Sequence, residues 1–448
     1  MMALTRRRLM ATSIAALAVE LPARAQDNAS SFVIDDARVI DGSGGFPLES
    51  ARIVVADGMI AAVGPMSSVT APSNATVISA SSCSVIPGLV SGHVHVGGYD
   101  GLTMGPPAQN EANILRQLGV YLDYGVTTVA SMGTNSAVVY SLRGKLQNGS
   151  ARGADIFVAD HGLGVPKGAP PAPLGTDQLD RPATPNEARE AVRAAAARGT
   201  NFIKLWLDDF QMLKLVKMQP EIYRAAIDEA HKAGLPVYVH IHYLDDAKDV
   251  LRAGADVLAH GVRDKPIDDE FVSLMKANGA WYIPTLSVDD AFFLFAEQPQ
   301  VLNDPFVSKA LHPDLLAQFS ANEWRSKQIN SSALPFWKRA LAINQQNTKA
   351  ALGQALNVGF GTDSGAMPLR VPGFAEHREL ELLVDAGITP SQALMLATSK
   401  AAETLGLTDR GMIAPGKKAD LVLLDGNPLE DIRVTRKIRT VWKSGAIV

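Results

Sequence analysis

Residues 90–98 read VSGHVHVGG, preceded by Pro87-Gly88. Two histidines one residue apart in an apolar, strand-like run raise the question of what needs two imidazoles at the end of a buried strand. Successive strand side chains point to opposite faces, so His93 and His95 share one face while Val94 takes the other. Both protonated, they would repel. They fit either as neutral, hydrogen-bonded core groups or as ligands of one cation, and the rest of the chain must decide.

Outward from this stretch, between about residues 86 and 407, short apolar runs alternate with Ala-rich amphipathic helices, the pattern of a parallel α/β fold. Strands are expected at 85–96, 125–132, 154–160, 201–207, 235–242, 256–261, 280–287 and 357–365. Eight strands with helices between them predict a TIM-like (β/α)8 barrel. An open doubly wound sheet would want a phosphate-binding glycine motif near the first strand, and none is present. The chain ends read differently. FVIDDARVIDG (32–42), ARIVVADGMIAAVG (51–64), KKADLVLLDGNP (417–428) and IRTVWKSGAIV (438–448) alternate like short strands between turns, which predicts a small β-sandwich domain built from both ends. The expected division is 26–86 and 408–448 for that domain and 87–407 for the barrel.

The 448 residues are 47% hydrophobic and 20% charged with net charge −4, enough for one large and one small domain and without the basic footprint of a nucleic-acid binder. The expected partner is a small molecule. Cys83 is the single cysteine, so an internal disulfide and a thiolate-rich metal site are both ruled out. Residues 1–25 have a basic start, an apolar middle and Ala23-Arg24-Ala25 at the end, the pattern of an export signal. Thr5-Arg6-Arg7-Arg8-Leu9-Met10 resembles a bacterial twin-arginine signal, which predicts a periplasmic or secreted protein. The apolar run is shorter than the ~20 residues that span a bilayer, and Glu20 interrupts it, so no membrane span is expected in the mature chain.

Chemistry in such a barrel sits at the C-terminal ends of the strands. His93 and His95 end the first strand, Lys204 lies late in the fourth, His240 and His242 end the fifth, His260 the sixth and Asp363 the eighth. Lys204 stands within the apolar run Phe202-Ile203-Lys204-Leu205-Trp206. An isolated buried ammonium is costly, so it must pair, with Asp208 for example, lose its proton, or be modified. A neutral lysine can take up carbon dioxide to become an anionic carbamate.

In this order, Pro87-Gly88-Leu89, His93-x-His95, Lys204, His240, His260-Gly261 and Gly361-Thr362-Asp363 resemble the metal-dependent amidohydrolase superfamily, specifically its imidazolonepropionase-like branch. GMIAPGKKADLVLLDGNPLED (411–431) is similar to that branch's C-terminal β segment. The resemblance implies two divalent metal ions, with Zn²⁺ the first choice: His93, His95 and Asp363 on one, His240 and His260 on the other, and carboxylated Lys204 bridging them. It further implies that a metal-activated hydroxide attacks an amide or related carbonyl bond, with Asp363 as the catalytic base and acid. Peptide-like or N-acyl amino acid substrates are the expectation. Many relatives have an aspartate where this chain has Ser91, so the support of the first ligand strand is expected to differ.

His161, His242, Tyr243 and His377 are the substrate-contact candidates. His242 faces substrate if His240, twenty residues before His260, is the ligand. A Pro/Gly-rich loop (162–182) and an aromatic insertion (288–334) flank the expected mouth. For the insertion a lid, a subunit contact in a homo-oligomer and simple helical packing all remain open. Two rival functions stand beside the hydrolase: a single-metal deaminase on the same barrel, and a periplasmic metal- or ligand-binding protein without catalysis.

Overall fold

A computed structural model describes residues 31–171 and 173–448; the expected export segment 1–25 lies outside them. Every one of the eight expected parallel strands is present, shorter than the apolar runs that encode it. They form two parallel arcs. One holds Asp155–Val158, Val126–Ser131 and Leu89–Val94; the other runs Ile203–Trp206, Val237–His240, Val257–Leu258, Trp281–Tyr282 and Asn357–Val358.

Hydrogen bonds join the arcs at both seams. Asn201 N donates to Val158 O (2.9 Å) and Leu163 N to Lys204 O (2.8 Å) at one seam; Gly92 N donates to Phe360 O (2.8 Å) and His95 N to Ser364 O (2.7 Å) at the other. At the second seam the backbones approach so closely that a Cβ on Gly361 would lie 2.6 Å from the His93 Cβ. That glycine lets the first and eighth strands place His93 and Asp363 side by side.

The helices between these strands start where the sequence supplies caps. Asn110, Thr184 and Asp268 accept from the third helical N–H of Glu111–Asp123, Pro185–Ala197 and Asp269–Asn278, each cap worth about 1 kcal/mol. Their apolar faces join one large core with the strands, including Leu118, Val192, Ile227, Val250 and Phe271.

The apolar run expected as one strand over 85–96 is two. Cys83–Pro87 pairs with Leu421–Asp425 of the other chain end, whereas Leu89–Val94 enters the parallel arc beside Val126–Ser131. Gly88 makes the crossing, because a Cβ there would lie 2.4 Å from Thr127 Oγ1. Strands of both chain ends do come together, in one eight-stranded sheet with the order Ala446–Ile447, Ile438–Lys443, Leu421–Asp425, Cys83–Pro87, Phe32–Val39, Leu48–Ala56, Met59–Pro65, and Thr76–Ser79 paired to Phe32–Val39. Ile34, Ile53, Val85, Leu423 and Trp442 form its core.

The aromatic insertion is a set of short helices with a core of its own. Phe295 stacks on Phe319 with ring centroids 5.0 Å apart, and Tyr99, Tyr124 and Phe374 close around them. No helix among the described residues is long and apolar enough to cross a membrane.

Candidate metal centre

Strand alternation delivers His93 and His95 to one face as expected, and both Nε2 atoms converge on one oxygen of Asp363, at 3.1 and 3.0 Å from Oδ1. His93 Nδ1 donates to the carbonyl of Ala259 at 2.5 Å. Burial, with the charge of Lys204, pushes His93 down to about 3, so the ring is neutral and its single proton is on Nδ1. Nε2 therefore offers a lone pair to a carboxylate oxygen. Two acceptors facing each other call for a cation.

The other candidate ligands close the cluster. The His260 ring lies 4.6 Å from that of His93 and 4.3 Å from that of His240, centroid to centroid. His260 Nδ1 is 2.8 Å from Thr285 Oγ1, and burial holds the imidazole well below its usual range. His93, His260 and Asp363 can bring ligand atoms within 4.8 Å of one another. Burial pushes His240 down to about 4, and its Nε2 lies 3.0 Å from Asp208 Oδ2, the carboxylate–imidazole pairing that orients a ligating histidine.

Lys204 is fully buried and its Nζ has no hydrogen-bond partner. The pairing with Asp208 that the sequence allowed does not form, since Asp208 is taken by His240 and by Gln211 Nε2 at 2.9 and 3.0 Å. Burial instead pushes the Lys204 amine down to about 7. Burial would raise the Asp363 carboxyl, but Arg370 and the two histidines hold it well below its usual range. Asp363 sits at φ 56°, a left-handed conformation uncommon for a non-glycine residue, and its Oδ2 is held by Arg370. This donor set of imidazoles, a carboxylate and an orphaned amine fits divalent cations of borderline softness.

Ser91 has a defined role. Its hydroxyl donates to Glu376 at 3.1 Å, beside those of Thr362 (2.6 Å) and Ser364 (2.8 Å). Glu376 thus ties the first and eighth strands together behind the ligands. Its helix, Phe374–Asp385, follows the eighth strand.

The substrate-contact candidates divide. His242 is buried, stacks on Phe336 (5.7 Å, 19°) and leaves Nδ1 without a partner. Tyr243 lies against it, with its hydroxyl donating to Asp209 at 3.0 Å. His161 Nδ1 lies 3.3 Å from Asp180 Oδ2, grouped with Asp160 and Asp180 rather than with His93, His260 and Asp363. His377 is a correction. Its helix turns the ring inward, where Nε2 donates to Tyr124 O (2.9 Å) and Nδ1 meets Thr435 Oγ1 (3.0 Å). Both nitrogens are used in a fully buried setting, which makes His377 a packing residue.

Sequence reasoning overlooked Arg263 and Arg370, both at the site, and saw Asp208 only as an alternative partner of Lys204, not as the partner of His240. Arg263 follows His260 by three residues and donates to Ile241 O (3.2 Å), with Nη1 3.3 Å from Asp289. That spacing after a ligand is the only signal the sequence carried; Arg370, in the loop after the eighth strand, had none.

Residues 84–448 match the amidohydrolase family. The chain is similar to the ochratoxinase of Aspergillus niger (27% identical, covering 94% of this chain and 87% of that one) and to the imidazolonepropionase of Deinococcus deserti (24%, 88% and 91%). Among solved structures it is similar to a putative prolidase from Bifidobacterium longum, with TM-score 0.73 and 28% identity over 94% of this chain and 95% of that one. A family match over most of the chain, together with clustered imidazoles, a carboxylate and a buried lysine on its strand ends, means that this chain belongs to the amidohydrolase family.

Proposed function

We propose that the protein is an exported, metal-dependent hydrolase that cleaves an amide bond, with peptide-like or N-acyl amino acid compounds as its substrates. Its two parallel arcs are read as one closed (β/α)8 barrel and the eight-stranded sheet, folded over its own core, as the small β-sandwich domain. The observation that carries the proposal is the unprotonated His93 Nε2 facing Asp363 Oδ1. The unpartnered Lys204 amine beside it points the same way.

His93, His95 and Asp363 would hold one ion and His240 and His260 a second, with Lys204 between them after adding carbon dioxide. In that addition the neutral Nζ forms a bond to carbon and loses a proton, giving a carbamate. Divalent ions held there, Zn²⁺ first, would supply polarisation of the scissile carbonyl and a more acidic water. Asp363, kept anionic by Arg370, takes the attacking water's proton and passes it to the leaving nitrogen. Asp208 fixes the ring of His240. Phe336 stacks on the His242 ring.

The names of the similar proteins support amide chemistry: an ochratoxinase, an imidazolonepropionase and a putative prolidase. The single-metal deaminase stays as a second reading, because His93, His260 and Asp363 can converge on one point. Elemental analysis alongside a hydrolysis screen of dipeptides, N-acyl amino acids, lactones and carbamates separates the two. About two ions per chain and amide turnover that Asp363→Asn abolishes support the proposal. One ion with full activity on an aromatic amine refutes it.

A further inference from the structure

The helix Phe374–Asp385 carries two fully buried carboxyl groups one turn apart, Glu376 and Glu379, and neither takes part in the proposed chemistry. Glu376 ties Ser91 to Thr362 and Ser364 behind the ligands. Glu379 reaches a different strand end. Its Oε1 accepts from Leu286 N and its Oε2 from Ser287 N, both at 2.7 Å. A carboxyl group is costly to bury unless donors meet it, so these two contacts fix the side chain and the backbone together.

Both N–H groups belong to the turn after the seventh strand, where Leu286 opens the short helix Ser287–Asp290 without a capping side chain. Immediately before them stands Thr285. It is fully buried, its φ is 49°, and its Oγ1 lies 2.8 Å from His260 Nδ1. A β-branched residue at positive φ is strained and keeps that conformation only where its neighbours impose it. Here they do so on both sides. Pro284 O accepts from Gly261 N (3.1 Å) and from Asn344 Nδ2 (2.9 Å). Leu286 and Ser287 are held by Glu379, and Ser287 Oγ donates to Thr362 O at 3.2 Å. Without Glu379, two buried N–H groups lose their acceptors, and the turn is free to relax and draw the Thr285 hydroxyl off the imidazole. With Nδ1 engaged by Thr285, Nε2 is the nitrogen His260 has left for an ion.

We infer that Glu379 is a positioning residue for His260: through Leu286 and Ser287 it locks Thr285, and Thr285 sets the angle of the ring. The inference rests on the metal-dependent reading above and adds to it the control of one ligand from a helix that supplies none.

The test measures Zn²⁺ affinity by chelator competition in the parent, Glu379→Gln, Thr285→Val and the double variant. Glutamine keeps the size but sets its NH2 against one of the two N–H donors. Glu379→Gln should weaken one ion about 10-fold, the lower end for a residue that supports a ligand, and leave any other ion within about threefold. The double variant should bind within about threefold of Thr285→Val alone, because both substitutions break the same chain of contacts. Glu379→Asp, which draws the carboxyl group back by one methylene, should show the same pattern and serves should the Gln variant fail to fold. A second readout needs no metal. In 15N-histidine spectra of the metal-free protein, the His260 signal, identified by its loss in His260→Gln, should move in Glu379→Gln and in Thr285→Val while those of His161 and His231 stay. Unchanged affinity, losses that add in the double variant, or a His260 signal that stays in place would overturn the assignment. A parent that binds no ion removes the metal-dependent reading, and the His260 signal then decides the role of Glu379 alone. A parent that binds ions and hydrolyses nothing removes the hydrolase reading and leaves this assignment standing on the affinities.

Discussion

His93 Nε2 stands 3.1 Å from Asp363 Oδ1 with no proton to offer it, because Nδ1 of the same ring donates to Ala259 O at 2.5 Å. The two lone pairs are brought together by the seam between the first and eighth strands, where Thr362 N and Asp363 N both donate to His93 O at 2.9 Å. The backbone therefore sets the distance. Side-chain rotation cannot relieve it cheaply, and a cation can.

Removing metal with a chelator should lower the thermal midpoint, and Zn²⁺ should restore it. An ion at a thousandfold excess over its Kd stabilises the folded chain by about 4 kcal/mol. Calorimetric melts with and without chelator measure this. A midpoint indifferent to both would remove the cation from the site.

Lys204 gives a prediction of opposite sign for the metal-free protein. Its folded value, about 7 against an ordinary 10.5, means that the unfolded chain binds the proton more tightly. Stability of the metal-free form should thus rise with pH between about 7 and 10.5, and at pH 7 the buried amine costs on the order of 4 to 5 kcal/mol. Lys204→Met should melt higher than the metal-free parent at pH 7, and the gap should shrink toward pH 10. It should also bind less metal and lose more than about 100-fold in amide turnover. A variant that keeps its full metal content would show that the amine is no part of the centre.

What the sequence disclosed follows from how local each signal is. A run such as Val237-Tyr238-Val239-His240 states its own strand and the end of that strand, so the rim on which His93, His95, His240, His260 and Asp363 gather was legible. The break at Gly88 was not, because the reason for it is Thr127, a neighbour only in three dimensions. Arg370 becomes a site residue only when its loop folds back onto Asp363. His377 misled for the converse reason: closeness in sequence to the eighth strand suggested the rim, but a helix turns its ring into packing against Tyr124 and Phe306.

Asp208→Asn tests the orientation of His240. Asparagine keeps the size and can still accept a hydrogen bond, but the charge that favours Nε2–H is gone. Loss of such a partner typically costs 10- to 100-fold in metal affinity or activity, roughly 1.4 to 2.7 kcal/mol. Metal affinity by chelator competition and kcat on the best amide substrate should both fall within that range, with the fold intact by circular dichroism. No change in either would make the Asp208–His240 contact incidental.

His377 predicts an acid limit to stability that is independent of the metal centre. Burial pushes its imidazole down to about 4 from an ordinary 6.5, so between those values the unfolded chain takes up a proton that the folded chain refuses. Stability is fully present above pH 6.5 and is lost as pH falls toward 4, by an amount on the order of 3 kcal/mol for a fully buried ring. Nε2 donates to Tyr124 O, and Nδ1 lies 3.0 Å from the Thr435 hydroxyl, whose one proton is also directed to Ile432 O. His377→Gln keeps a donor and an acceptor without the titration. Denaturant unfolding of metal-free protein at pH 7.5 and pH 5 should show a smaller loss for this variant than for the parent, the difference being about 2 kcal/mol. Equal losses would mean that the ring is protonated in the folded state and that its two contacts are both made by donated protons.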